Sequence, residues 1–215
     1  MIDLQAYLEQ KLRGIISAWH ADDIISAWHA DDIISAWHAD DIYAISFFVH
    51  TNESYEYDGV SNVTEFSVGY QTEHDCRGAG ELSEERWNYA FWRQEETPVI
   101  EAADENEGMK ILFDWYRENG IQHIGYEDPA ACYDHEMRYI GKGPVGCYEL
   151  LCEIAQVARK LQVSGFIKAQ FGRPIPIIIH DLEYPWYCIE ATARANPSGE
   201  ADTFFAAMKK LGFIA

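Results

Sequence analysis

The stretch IYAISFFVHT, Ile42 to Thr51, decides how the chain around it is read. It is β-branched and aromatic almost throughout, and too short for a typical helix, so it predicts a buried strand. The segment before it reads as a helix. Leu4, Leu8, Leu12, Ile15 and Trp19 recur at intervals of four, four, three and four, which sets them within about 80° of one another on a helical wheel. On the other side, NESYEYDGVSNVTEFSVGYQT reads as a turn at Asn52 and Glu53 with further strand, broken around Asp58-Gly59.

Helix and strand are joined by an unusual segment. From Gly14 to Tyr43 the chain reads GIISAWHADDIISAWHADDIISAWHADDIY, with IISAWHADD present three times without a substitution. Nine residues make two and a half helical turns, so each copy is rotated by about 180° from the last. Eighteen residues make five whole turns, which would keep the rotational phase and add about 27 Å of length. Adjacent β-branched residues and an Asp pair oppose helix; Ala and the absence of Gly and Pro favour it. The expectation is one long helix from residue 3 to about residue 38, with a looped-out insertion as the alternative. In that helix Ile24, Ile25 and Trp28 point away from Leu8 and Trp19, while Ile33 and Trp37 rejoin the first stripe. These five residues are the candidate interface for self-association through a protruding helix. Identity across the copies fits a recent in-frame duplication better than a solenoid, whose units are longer and diverge.

Further along, ERWNYAFW reads as a short helical element. Asp104 could cap a helix to Glu118, with Met109, Leu112, Phe113 and Tyr116 inward and Asn119-Gly120 as its stop. Residues 121–143 read as loop. Val145 to Leu161 reads as the central helix, with Leu150, Leu151, Ile154, Val157, Ala158 and Leu161 on one stripe. PIPIIIHDLEYPWYCIEATAR reads as two strands joined by a turn near Asp181 to Pro185. A last helix would start with Asn196 as its N-cap and Pro197 at its first position. Together these elements make an α+β domain with a mostly antiparallel sheet packed with helices. Residues 1–41 form the N-terminal helix with its repeats and 42–215 a single α+β domain, the helix belonging to the same fold.

At 215 residues, 48% hydrophobic and 14% aromatic, the chain can bury a full core. No apolar run reaches the length of a membrane span, and the acidic, amphipathic N-terminus does not read as a signal peptide. Five cysteines without a CxxC pair fit buried thiols in a cytoplasmic protein better than a disulfide framework. Thirty-six acidic against sixteen basic residues give a formal charge of −20. The two surplus repeats carry four aspartates, so without them the charge would be −16. Such a surface repels nucleic-acid backbones and would speed encounter with a basic protein, or simply keep the chain soluble.

Groupings of chemistry-bearing residues are sparse. On a helix His20 and His29 would face opposite sides, so HADD does not assemble a metal site. His180-Asp181 with Glu183 follows a strand, where catalytic groups often sit, but a polar turn explains it equally. Cys188, read as mid-strand between Tyr187 and Ile189, reads as core rather than as a nucleophile. GKGPVG (Gly141 to Gly146) lacks the phosphate-loop order. No catalytic set, cofactor or metal site is expected from these residues.

Three stretches carry a resemblance. YAISFFVHTNE after the first helix, ERWNYAFW with Trp87 and Trp92, and FGRPIPIIIHDLEYPWYCIEATARANP with Asp181, Asn196 and Pro197 resemble a bacterial family of uncharacterised domains found at polymorphic-toxin immunity loci. The resemblance covers most of the chain apart from the two surplus repeats. It implies an immunity or antitoxin role: binding and neutralising a cognate toxin, with the acidity suggesting a basic, nuclease-like one. An oligomeric interaction module built on the repeated helix and an enzyme with a cryptic site are the alternatives.

Overall fold

A computed structural model describes residues 3–19, 41–93, 96–103 and 105–214. The strand Ile42 to Thr51 is the heart of β1 (Ile42–Tyr57), whose first eight residues are all buried. The chain turns at Asp58-Gly59 into β2 (Val60–Thr72), which pairs antiparallel with β1 from Ile42↔Thr72 to Tyr57↔Val60. Asn52 is not the turn; it marks the start of a register irregularity in a strand that continues to Tyr57. A short β3 (Thr97–Ile100) adds antiparallel to β2, and β4 (Ile177–His180) runs parallel to β1. The sheet order is β3-β2-β1-β4, so the sheet is mixed, with two antiparallel pairings and one parallel pairing.

Side chains alternate across a strand, so β1 feeds two cores. Ile45, Phe47 and Val49 face α1 (Leu4–Ala18), α3 (Glu107–Glu118) and α4 (Cys147–Val163), joined by Phe66, Ile177 and Ile179. Ala44 and Phe48 face the other way, with Ile178. They meet Trp87 of α2 (Glu84–Trp87), Tyr89 and Trp92 just after it, and Phe204 and Met208 of α7 (Asp202–Leu211). The remaining helices are α5 (Phe166–Phe171) and α6 (Trp186–Ala195). Seven α-helices and four strands among the described residues make the fold α+β.

The strongest sequence patterns are matched in the structure. The inward residues named for α3 and α4 are all buried, and Trp87, Trp92, Phe47 and Ile178 lie in the cores. The α3 cap is Asn106, whose side chain accepts from the Met109 amide at 2.9 Å, rather than Asp104. The long loop is tied back to β2 at Gly125. Its φ is +79°, and a Cβ there would lie 1.9 Å from the Ser61 carbonyl oxygen, so only glycine fits.

Three further expectations are corrected. The N-terminal helix is 15 residues long, Leu4–Ala18, and not one helix to residue 38. Trp19 comes directly after it and packs on Tyr70 and Phe171, with ring centroids 4.9 and 6.4 Å away. The residues after Trp19 are His20, Ala21, Asp22 and Asp23, and acidic side chains at a helix C-terminus oppose its dipole. The second of the expected C-terminal strands is α6, because its buried residues Tyr187, Cys188, Ala191, Thr192 and Ala195 repeat with a helical period. Asn196 ends α6 instead of starting the last helix, which begins at Asp202.

Candidate functional site

β4 is buried along its whole length and stops at His180; the turn Asp181 to Pro185 then leads into α6. Just beyond this strand end lies a cleft of about 790 Å³, in the position where parallel strands of open sheets present ligand sites. β1 contributes Thr51 to it, and the loop before α4 contributes Glu127, Tyr133, Tyr139, Gly143 and Pro144. Asp181, Leu182, Glu183, Tyr184, Trp186 and Tyr187 form the other wall, with Asn88 and Phe213 at its edge. The lining holds three carboxylates and no Lys, Arg or His. The neighbouring Lys142 lies over the Tyr148 ring, 4.4 Å from its centroid.

The aromatic walls are held in place by hydrogen bonds. The Trp186 indole donates to the Gly141 carbonyl at 2.9 Å although the residue is 40% exposed. The Tyr139 hydroxyl donates to Glu127 and accepts from the Gly143 amide at 2.7 Å. The Tyr184 hydroxyl donates to the Trp87 carbonyl. Tyr133, Leu182 and Phe213 add exposed apolar surface at the mouth.

Asp181 is half-buried in this lining. Burial raises its pKa above the ordinary range, opposed by the Leu182 amide, which donates to Oδ1 at 2.6 Å, and by nearby His50. No ion pair reaches Asp181 or Glu183 among the described residues.

His180, expected beside Asp181 as part of a polar turn, belongs to the core instead. Its Nδ1 lies 2.7 Å from the Asp181 carbonyl oxygen and its Nε2 2.7 Å from the Ser46 hydroxyl. A carbonyl can only accept, so Nδ1 carries the proton and Nε2 accepts from Ser46. Phe48, Tyr89 and Trp92 enclose the ring with centroids 4.9–5.5 Å away. Burial pushes the imidazole pKa down to about 4. Ser46 and His180 are both fully buried, so this serine–histidine pair offers its hydroxyl to no substrate. Burial likewise holds the Cys147 thiol up at about 12 and keeps Cys188 protonated, and all five cysteines are free.

A second polar pair lies on the opposite sheet face from Thr51. His50 Nε2 is 3.0 Å from Glu65. Burial alone would raise Glu65, but His50 and the Ala102 amide outweigh it and hold its carboxyl below the usual range.

The interface candidates Ile24, Ile25, Trp28, Ile33 and Trp37 lie outside the described residues. Among the described residues, no group of three or more His, Cys, Asp or Glu is placed to hold a metal ion, and no helix is long and apolar enough to cross a membrane. Of the residues the sequence singled out, the cleft brings together Asp181 and Glu183 with Gly143 and Pro144 of the GKGPVG stretch. Glu127, Tyr133, Tyr139, Trp186 and Phe213 were missed; for Glu127, Tyr133 and Tyr139 the one signal was the density of Tyr and acidic residues in the loop 121–143. No protein-family model, curated protein or solved structure matches the chain.

Proposed function

We propose that the protein is a non-catalytic binding protein that neutralises a basic protein partner, in the manner of an immunity protein against a nuclease-like bacterial toxin. The observation that carries this reading is the cleft, with three carboxylates, no basic residue and rigid exposed aromatic rings. Interfaces concentrate their binding energy in such Trp and Tyr side chains. The formal charge of −20 extends the same complementarity over long range, steering a basic partner into place. The three stretches that resemble a family from toxin-immunity loci supply the biological setting.

The test is capture from the native host with the wild-type chain and with Trp186→Ala. The expected result is a basic toxin domain bound by the wild type, bound at least tenfold more weakly by the variant, and associating more slowly as salt rises. Co-expression should protect cells from that domain. A partner that is not basic, no protection on co-expression, or turnover of a small molecule by the purified chain would each overturn the reading.

A further inference from the structure

We infer that the cleft beyond β4 is a receptor for a guanidinium group, with Asp181 as its counter-ion and the Trp186 ring as its stacking wall. The inference rests on the partner-binding reading and names the chemistry the cleft selects. Three independent features converge. The first is shape: about 790 Å³ accepts an arginine side chain with room for the backbone that carries it. The second is charge. Asp181, Glu127 and Glu183 line the same cleft, and among the described residues no salt bridge reaches Asp181 or Glu183. Elsewhere this protein does pair such groups: Arg86 reaches Glu73 with two hydrogen bonds of 2.6 and 2.7 Å. The third is the wall. Trp186 and Tyr187 stand 84° apart with ring centroids at 5.7 Å, and the indole is pinned to Gly141, so a fixed aromatic face lines the same cleft as the carboxylates.

A flat cation that accepts carboxylates in a fork and stacks on aromatic rings is a guanidinium; an ammonium offers a point charge without the planar face. The protein itself contains the arrangement in miniature, with the Arg86 guanidinium 4.0 Å from the Tyr43 ring centroid while it holds Glu73. The donor could be an arginine of a protein or a small guanidine metabolite, and the chemistry is shared.

Isothermal titration calorimetry with the full chain separates these. Agmatine and an acetylated, amidated arginine peptide are the probes, and the same peptide with citrulline is the uncharged isostere. The expected result is saturable binding of the arginine peptide, at least tenfold weaker binding of the citrulline peptide, and at least a tenfold loss in Asp181→Asn. Trp186→Leu should lose affinity for guanidinium more than for a lysine peptide. Saturable binding of agmatine as tight as that of the peptide assigns the site to a small guanidine, and tighter binding of the peptide assigns it to a protein side chain. No saturable heat from either probe, or equal binding of arginine and citrulline, overturns the proposal. Should Asp181→Asn fail to fold, Glu183→Gln and Trp186→Leu carry the test, and unchanged affinity in both overturns it. Failure here is distinct from failure of the partner reading. A toxin captured from the host with no saturable heat from either guanidinium probe removes the guanidinium receptor alone, whereas agmatine binding with no protein partner removes the immunity role alone.

Discussion

Asn196 and Ile177 exchange two hydrogen bonds across the outer edge of the sheet. The Ile177 amide donates to Asn196 Oδ1 at 2.9 Å, and Asn196 Nδ2 donates to the Ile177 carbonyl at 2.7 Å. Two residues along, Thr192 Oγ1 accepts from the Ile179 amide at 2.9 Å and lies 3.1 Å from its carbonyl. Side chains of α6 thus satisfy the open edge of β4 as a neighbouring strand would, and an edge that would otherwise invite pairing is closed.

Asn196→Ala should therefore cost about 2–4 kcal/mol, because it leaves buried backbone groups of β4 without partners. Thr192→Val, which keeps the shape and removes the hydroxyl, should cost about 1–3 kcal/mol. Urea denaturation measures both. A loss under about 1 kcal/mol at Asn196 would mean that β4 finds another partner for its edge.

Trp19 in the first repeat copy and Ile42 after the third dock on the same two segments. Trp19 rests on Tyr70 and Phe171; Ile42 pairs with Thr72 and accepts a hydrogen bond from Arg173 at 2.7 Å. Their contacts lie two residues apart in each segment. Trp19 of the first copy and the strand after the third are therefore placed by the domain and not by the number of copies between them. One-, two- and three-copy chains should all keep the same core, in place of the alternation that a continuous helix would impose. Closing a longer connection adds only about 0.6 kcal/mol per doubling of length, so melting temperatures should differ by a few degrees. A two-copy chain that alone fails to fold would overturn this.

His180 makes stability fall in mild acid. In the unfolded chain it takes up a proton near pH 6.5, whereas in the folded state burial delays this to about pH 4. The folded pKa is depressed, so the contribution is complete above about pH 6.5 and is lost as pH falls toward 4. The loss between pH 7 and 4.5 should be about 2–3 kcal/mol. His180→Asn should be less stable at pH 7 but show a flatter profile across that window. Thermal or urea melts at several pH values decide it, and parallel profiles would locate the acid sensitivity elsewhere.

The two cores should be comparably sensitive. Phe47→Ala on one face and Trp87→Ala on the other should each cost about 3–5 kcal/mol, measured by chemical denaturation. Loss at one face with near-neutrality at the other would show that the latter cluster contributes little to the cooperative unit.

Local periodicity made β1, α3 and α4 legible, because each buries a wide apolar face whose spacing is written in consecutive residues. At α6 that signal was ambiguous. Trp186, Tyr187, Cys188 and Ile189 form an apolar run after a Pro, acceptable to strand or helix, and the choice falls to helix where Ala191 and Ala195 pack in the main core and Thr192 reaches β4. Asn196-Pro197 fits a helix start by local rule, yet the Asn196 side chain bonds Ile177 and Gln162, residues far away in sequence.

By itself the sequence determined the class of the fold, the burial of β1, the inward faces of α3 and α4, and the strong negative charge. These depend on residue composition and short-range spacing, which folding does not change. Tertiary structure decided that α1 ends at Ala18 with Trp19 docked on Tyr70 and Phe171, that β4 lies parallel to β1, and that His180 is core while Asp181 lines a cleft. Each of those outcomes is set by contacts between segments distant in the chain, whose free energy appears only when the segments meet and exceeds the small local preferences for helix or strand.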